Sequence, residues 1–199
     1  MLDPSKTLAV AEQVSQAAAR LGIPTALIGA AALAVHGYVR GTDYLELAIA
    51  VPLDGLRQLL AVSKAAGLGA ELRLPVDEDR LGGVLVVWAS EDDEGNPTDV
   101  VQVVNFLHPQ SQKTNPAAEA IARAVPLDGL HLSCVAMGDL VALKLYAGSR
   151  SDLADIVELL AHNPDTDLDV LRSIAGRFDQ PNRLEELVRE AAMRTMGRR

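Results

Sequence analysis

The sequence is short of cysteine, aromatic residues, positive charge and long apolar runs, and each shortage excludes something. One cysteine in 199 residues, Cys134, excludes an internal disulfide and suits a reducing compartment. Its flanks, HLSCVAM, are apolar, so it reads as a buried thiol rather than a nucleophile. Aromatics are only 3%, so the core must be built from the Ala, Val and Leu that dominate a hydrophobic content of 49%. A net charge of −9 disfavours constitutive binding to nucleic acid or to an anionic membrane. The one candidate basic patch is the tail from Arg189 to Arg199, which reads as a frayed terminus. The opening MLDPSKTLAVAEQ has no secretory h-region, and no apolar run reaches the roughly 18 residues that span a bilayer. The expectation is a cytoplasmic protein without a membrane partner.

What is present is a mixed pattern. Pro4 and Ser5 open a helix to about Leu21, with Leu8, Val10, Ala11, Val14 and Ala18 on one stripe. Thr25 to Ile28 reads as a short buried strand, and Ala30 to His36 as a helix stopped by Gly37. Tyr44 to Val51 alternates as a strand, and Pro52 starts a helix to about Ala66. Ala70 to Leu74 and Gly83 to Trp88 read as strands parted by the acidic turn DEDRLGG. The loop SEDDEGNPT then leads into an apolar strand, Asp99 to Phe106, which can pair with Gly83 to Trp88 as a hairpin. Both acidic loops read as solvated charge runs. After Pro109 come a loop, a short helix, a brief strand at His131 to Val135, and only helices from Met137 onward. The fold class is α/β (α+β): a mixed-sheet core over 1–110 and a mostly helical C-terminal section over 111–199 packed on it.

The stretch Leu27 to Val51, LIGAAALAVHGYVRGTDYLELAIAV, is the most informative. Period-two geometry places Tyr44 and Glu46 on one strand face, opposite Leu45, Leu47, Ile49 and Val51, beside the turn at Gly29. Asp43 lies one residue off and so points to the other face. Divalent cations spread across a triphosphate need carboxylates from adjacent strands that meet at a point. They also need a backbone-lined turn at a helix N-terminus. Glu46 and Asp99, on separate strands, are the candidate carboxylates, and Gly29 with Ala30 is the candidate turn.

Taken together these residues resemble the nucleotidyltransferase superfamily, in particular its AbiEii-type toxins and minimal bacterial members. LIGAAALAVHGYVRGTDYLEL follows that family's strand–Gly–helix stretch and its HG, R, T and paired metal-binding aspartates. Gly29 matches the first glycine, and Ala30 stands at the second small position. His36, Gly37, Arg40 and Thr42 match the HG, R and T. Tyr44 and Glu46 stand at the two aspartates, and Asp99, in PTDVVQVVNF, matches the third carboxylate. MGDLVALKLYAGSRSDLADIVELL resembles the family's later block through Asp139, Lys144, Arg150, Asp152 and Asp155. The resemblance implies a nucleotidyltransferase fold over about Leu27 to Leu160. It also implies Mg²⁺ at Glu46 and Asp99, nucleotide contacts from Gly29, Ala30, Arg40, Thr42 and Tyr44, and Lys144 as the cation that neutralises triphosphate.

The departures bear on activity. Tyr44 removes a bridging ligand, and Glu46 moves a carboxylate outward by about one methylene, which metal geometry tolerates poorly. Mg²⁺ is therefore expected to bind weakly or not at all. Each residue also has a plainer reading: Gly29 as a tight turn, Tyr44 as packing, His36 as a helix C-terminal cap, Asp99 as a turn residue. Lys144 reads as the partner of Asp139 or Asp152. Two functions fit. One is altered or reduced transfer of a nucleotide from a nucleoside triphosphate to RNA or protein, within a bacterial toxin–antitoxin or defence system. The other is a non-catalytic nucleotide- or partner-binding module, with a cognate protein as partner.

Overall fold

The structure, a computed structural model, describes residues 4–76, 80–110, 115–178 and 181–197. Most of the acidic run expected at 77–80 and part of the loop after Pro109 lie outside the described residues.

The elements run α1 (Pro4–Arg20), β1 (Ala26–Ile28), α2 (Gly29–Val35), β2 (Tyr44–Ile49), α3 (Leu53–Ala65), β3 (Gly69–Arg73), β4 (Val84–Trp88), β5 (Ser90–Glu91) and β6 (Pro97–Thr98). They continue with β7 (Val100–Asn105), α4 (Ala117–Ala122), β8 (Val125–Pro126), β9 (Ser133–Cys134), α5 (Met137–Ala147), α6 (Arg150–His162), α7 (Leu168–Arg177) and α8 (Pro181–Gly197). Seven strands form one mixed sheet in the order β3-β4-β7-β2-β1-β9-β8, and β5 and β6 make a separate ribbon. β4 and β7 pair antiparallel, as the hairpin reading expects, with that ribbon inserted between them. The short strands β8 and β9, from beyond residue 110, complete the sheet through the parallel pairing of Leu27 with Cys134.

The central register decides where the chemistry lies. β2 and β7 run parallel, with Tyr44 opposite Val100, Glu46 opposite Gln102 and Ala48 opposite Val104. β1 runs antiparallel to β2 and sets Ile28 opposite Glu46. Alternation then splits the sheet. Leu47, Ile49, Val101, Val103, Leu85 and Val87 are fully buried on the face that meets α1 and α3. Tyr44, Glu46, Gln102, Val84 and Val104 share the other face, across from α5.

Two polar devices fix the frame. Asn105, at the end of β7, is fully buried. Its Oδ1 accepts from the Val51 and Leu107 amides at 3.1 and 3.2 Å, and its Nδ2 donates to the Val51 carbonyl at 2.9 Å. The α5–α6 junction turns at Gly148, in the left-handed region, and Ser149 then caps α6 in a capping box with Asp152. The C-terminal tail differs from its reading as a frayed end. α8 continues to Gly197, and Arg194 pairs with Glu190 at 3.0 Å and with Glu158 on α6. Among the described residues no helix is long and apolar enough to cross a membrane.

Candidate functional site

A cleft of about 260 Å³ opens between the polar face of the sheet and the α5–α6 corner. β2 contributes Tyr44 and Glu46, β7 contributes Gln102 and Val104, and Gly29 lies at the start of α2. From α5 come Leu140, Leu143, Lys144 and Ala147, spaced as one helical stripe.

Gly29 is demanded twice over. Its φ is +64°, and a Cβ built there would stand 1.7 Å from Glu46 Oε2. The Glu46 carboxylate therefore lies directly on the glycine backbone, a contact that no L side chain at position 29 would permit. Among the described residues the Glu46 carboxylate has no hydrogen-bond partner. Burial is the largest influence on it and raises its pKa; Lys144 and Arg40 act in the opposite direction. The neighbouring Tyr44 phenol is also pushed up, chiefly by the charge of Glu46, and stays protonated.

The cations of the cleft are already engaged. Lys144 Nζ, deeply buried, donates to Asp152 Oδ1 at 3.0 Å and to Asp155 Oδ2 at 2.8 Å. Asp155 also takes Arg40, whose Nη2 donates to Oδ2 at 3.2 Å and whose Nε lies 2.9 Å from Oδ1. Asp152 Oδ2 receives Ser149 Oγ at 2.6 Å. Lys144 thus meets both readings in part: it lines the same cleft as Glu46, and it is held in a structural ion pair. Its partners are Asp152 and Asp155; Asp139 binds Arg123 instead, at 2.5 and 3.2 Å.

The remaining expected residues divide. Arg40 and Tyr44 line the cleft, whereas Ala30 is buried behind it, and Thr42 uses its hydroxyl on the Tyr44 backbone at 2.9 Å. His36 ties α2 to the loop before α5, its Nε2 2.8 Å from the Val135 carbonyl. Asn163, just past the end of α6, donates to the His36 carbonyl at 2.8 Å, so His36 staples α2 to the helical section.

Asp99 requires a correction. It is buried, outside the cleft, and on the far side of the sheet from Glu46. Thr7 on α1 donates to it at 3.4 Å and Ser90 at 3.5 Å. The reason is parity: Asp99 sits in a left-handed turn, φ +55°, just before β7, and the polar-face positions of β7 are Val100, Gln102 and Val104. The third position is therefore held by Gln102, in register with Glu46. A signal for it exists in the sequence, as the one polar residue inside VVQVV. Asp99→Asn should leave the cleft's ligand binding unchanged. Asp99→Ala should cost about 1–2 kcal/mol for an alanine in the left-handed region, read by denaturant unfolding.

No family model matches this sequence, and no curated protein does. Solved structures share its fold. The antibiotic-resistance factor ANT(2'')-Ia in solution superposes with a TM-score of 0.52 at 14% identity, over 93% of this chain and 97% of that one. The crystal structure of ANT(2'')-Ia in complex with adenylyl-2''-tobramycin gives 0.52 at 12%, over 88% and 98%. An antigenic nucleotidyltransferase-like protein from Paracoccidioides brasiliensis gives 0.51 at 16%, over 95% and 94%. The chain has the nucleotidyltransferase fold.

The resemblance implies Mg²⁺ at Glu46 and Asp99, and the donors present on the polar face do not fit a divalent-cation cluster. The three positions hold a phenol, a carboxylate and a carboxamide, where hard cations bridging a triphosphate need charged oxygens. Asp152, across the cleft, is committed to Lys144 and Ser149. Among the described residues no three His, Cys, Asp or Glu side chains come together as a metal site.

Proposed function

We propose that this protein is a binding module with the nucleotidyltransferase fold, which takes a small ligand in its cleft without metal-dependent transfer. The observation that carries this reading is the register of Glu46 with Gln102, beside Tyr44. It leaves one carboxylate where two-metal chemistry needs a cluster. Lys144, the cation expected to neutralise a triphosphate, and Arg40, an expected nucleotide contact, are spent on Asp152 and Asp155, and Glu46 would repel the phosphates. Altered transfer of a nucleotide to RNA or protein, with Mg²⁺ on Glu46 and Asp99, is correspondingly disfavoured.

Calorimetry with a non-hydrolysable nucleoside triphosphate tests this directly. Mg²⁺ should change the nucleotide's affinity by less than about threefold, which is under about 0.7 kcal/mol. Tight binding that Mg²⁺ creates and a chelator abolishes would refute the reading, as would Mg²⁺-dependent labelling of RNA or protein by a labelled triphosphate.

The two stretches that resemble AbiEii-type proteins support a second reading, at the level of biological role. In it the chain is one half of a bacterial toxin–antitoxin or defence pair, cytoplasmic, and acts through a cognate protein. Growth arrest on induction, relieved by co-expressing the adjoining gene, would support that role; unimpaired growth would refute it.

A further inference from the structure

The charges around the cleft do not cancel, and the remainder sits on one residue. Lys144 and Arg40 are matched by Asp155 and Asp152 through the contacts given above. Glu46 is left as the unmatched charge. Three adjacent polar groups also lack partners among the described residues: the Glu46 carboxylate, the Gln102 carboxamide and the Tyr44 hydroxyl, all on the polar face of β2 and β7. Around them the walls are apolar, from Ile28, Val104, Phe106, Leu140 and Leu143. At about 260 Å³ the space falls below the roughly 300–1,000 Å³ that encloses drug-sized ligands.

We propose that this cleft binds a small organic monocation, an ammonium or amidinium on an apolar body, with its N–H donors on Glu46 and Gln102 and its body against the α5 wall. The proposal rests on the metal-free reading above and names the ligand class for the same site. Three physical terms favour it. A cation supplies the counter-charge that the half-buried carboxylate lacks, in a setting where charge-assisted hydrogen bonds are strong. Gln102, in register beside Glu46, accepts a second N–H through its carbonyl oxygen, so a forked donor such as an amidinium meets two acceptors side by side. The Tyr44 ring, with its phenol kept protonated, offers an aromatic face on the same side. A neutral ligand of the same shape gains only the apolar contact, and an anion is repelled by Glu46.

The pH response follows with a definite sign. Burial raises the Glu46 pKa, so acidification converts it to the neutral acid within a range where exposed glutamates remain charged. The other charged or titratable groups facing it are Tyr44 on its own strand, Arg40 from the preceding loop, Lys144 on α5, and Asp152 and Asp155 on α6. Monocation affinity should fall by about tenfold per pH unit below the Glu46 pKa.

The test uses the whole chain with benzamidine and benzylamine as cations, benzamide and benzyl alcohol as neutral analogues, and benzoate as the anion. Thermal shift and calorimetry should show the two cations binding at least about tenfold more tightly than their neutral analogues, a difference of about 1.4 kcal/mol. Glu46→Gln should abolish that preference while the circular dichroism spectrum stays unchanged. Gln102→Leu should weaken benzamidine more than benzylamine. Equal binding of cations and neutrals, or a preference that survives Glu46→Gln, would overturn the proposal. Failure here is separable from failure of the metal-free reading. If no cation binds and Mg²⁺–nucleotide does not bind either, only the ligand class is wrong. If Mg²⁺–nucleotide binds tightly, both readings fall.

Discussion

Lys144→Ala should lower the midpoint of thermal unfolding by roughly 6–12 °C. The ammonium lies in the interior between α5 and α6, within 3.0 Å of two carboxylates, and its side chain is 7% exposed. Removing one partner of a buried pair leaves the other charge without its counter-ion, at a cost of about 3–5 kcal/mol. The low end of that range applies because Asp155 keeps Arg40 and Asp152 keeps the Ser149 cap. About 3 kcal/mol at 2–4 °C per kcal/mol gives the expected shift for a chain of this size. Arg40→Ala is the internal comparison. That side chain is 35% exposed, so its loss should cost no more than about 1 kcal/mol. A Lys144→Ala midpoint within about 2 °C of wild type would show that the buried network is not a structural fastener. Lys144 would then have to be reconsidered as a cation held in reserve for a ligand.

The fold was legible because its strongest signals are local. Leu45, Leu47 and Ile49 alternate with Tyr44 and Glu46, and that alternation alone assigns β2 its two faces. The glycine that opens α2 and the SRSD stretch at the start of α6 are likewise written in a few consecutive residues. Register between distant strands is not. β2 and β7 are more than fifty residues apart, and nothing within either says that Glu46 faces Gln102 rather than a residue nearer Asp99. A carboxylate at the head of an apolar strand reads as the partner of one in an earlier strand. The left-handed turn at Asp99 instead hands that carboxylate to α1 and starts the strand one residue later. A single step in parity exchanged the faces of the sheet and, with them, an acid for an amide. The ion network was half legible. Asp152 is within helical reach of the α5–α6 corner, but the convergence of Lys144 and Arg40 on Asp155 depends on how a loop 115 residues earlier drapes over α6. β9 falls inside the brief strand expected at His131 to Val135, whereas β8 is two residues long and is a strand only through its pairing with β9.

Tyr44→Asp combined with Gln102→Asp should give the cleft a divalent-cation site built of three carboxylates. Position 44 precedes Glu46 by two residues on the same face, and position 102 is its cross-strand neighbour, so three carboxylates would converge from adjacent strands. Mg²⁺ yields its waters only to well-placed charged oxygens, so each added carboxylate strengthens the site, and neither single substitution completes it. In the double variant Mg²⁺ should tighten a non-hydrolysable triphosphate by at least about tenfold, or about 1.4 kcal/mol, relative to the same titration with chelator. Without metal, three like charges crowd one face, so the variant should melt below wild type and recover when Mg²⁺ is added, because a ligand of the folded state stabilises it. Adding Asp99→Asn to the double variant should leave the gain intact, since that side chain lies across the sheet beside Thr7. If Asp99→Asn instead abolishes the gain, Asp99 and not residue 102 is the third ligand, and the register argument fails. If the double variant shows no response to Mg²⁺ in binding or melting, carboxylate supply is not what limits the site. The Glu46 carboxylate seated on Gly29 would then be the obstacle, because it fills the space a phosphate would need.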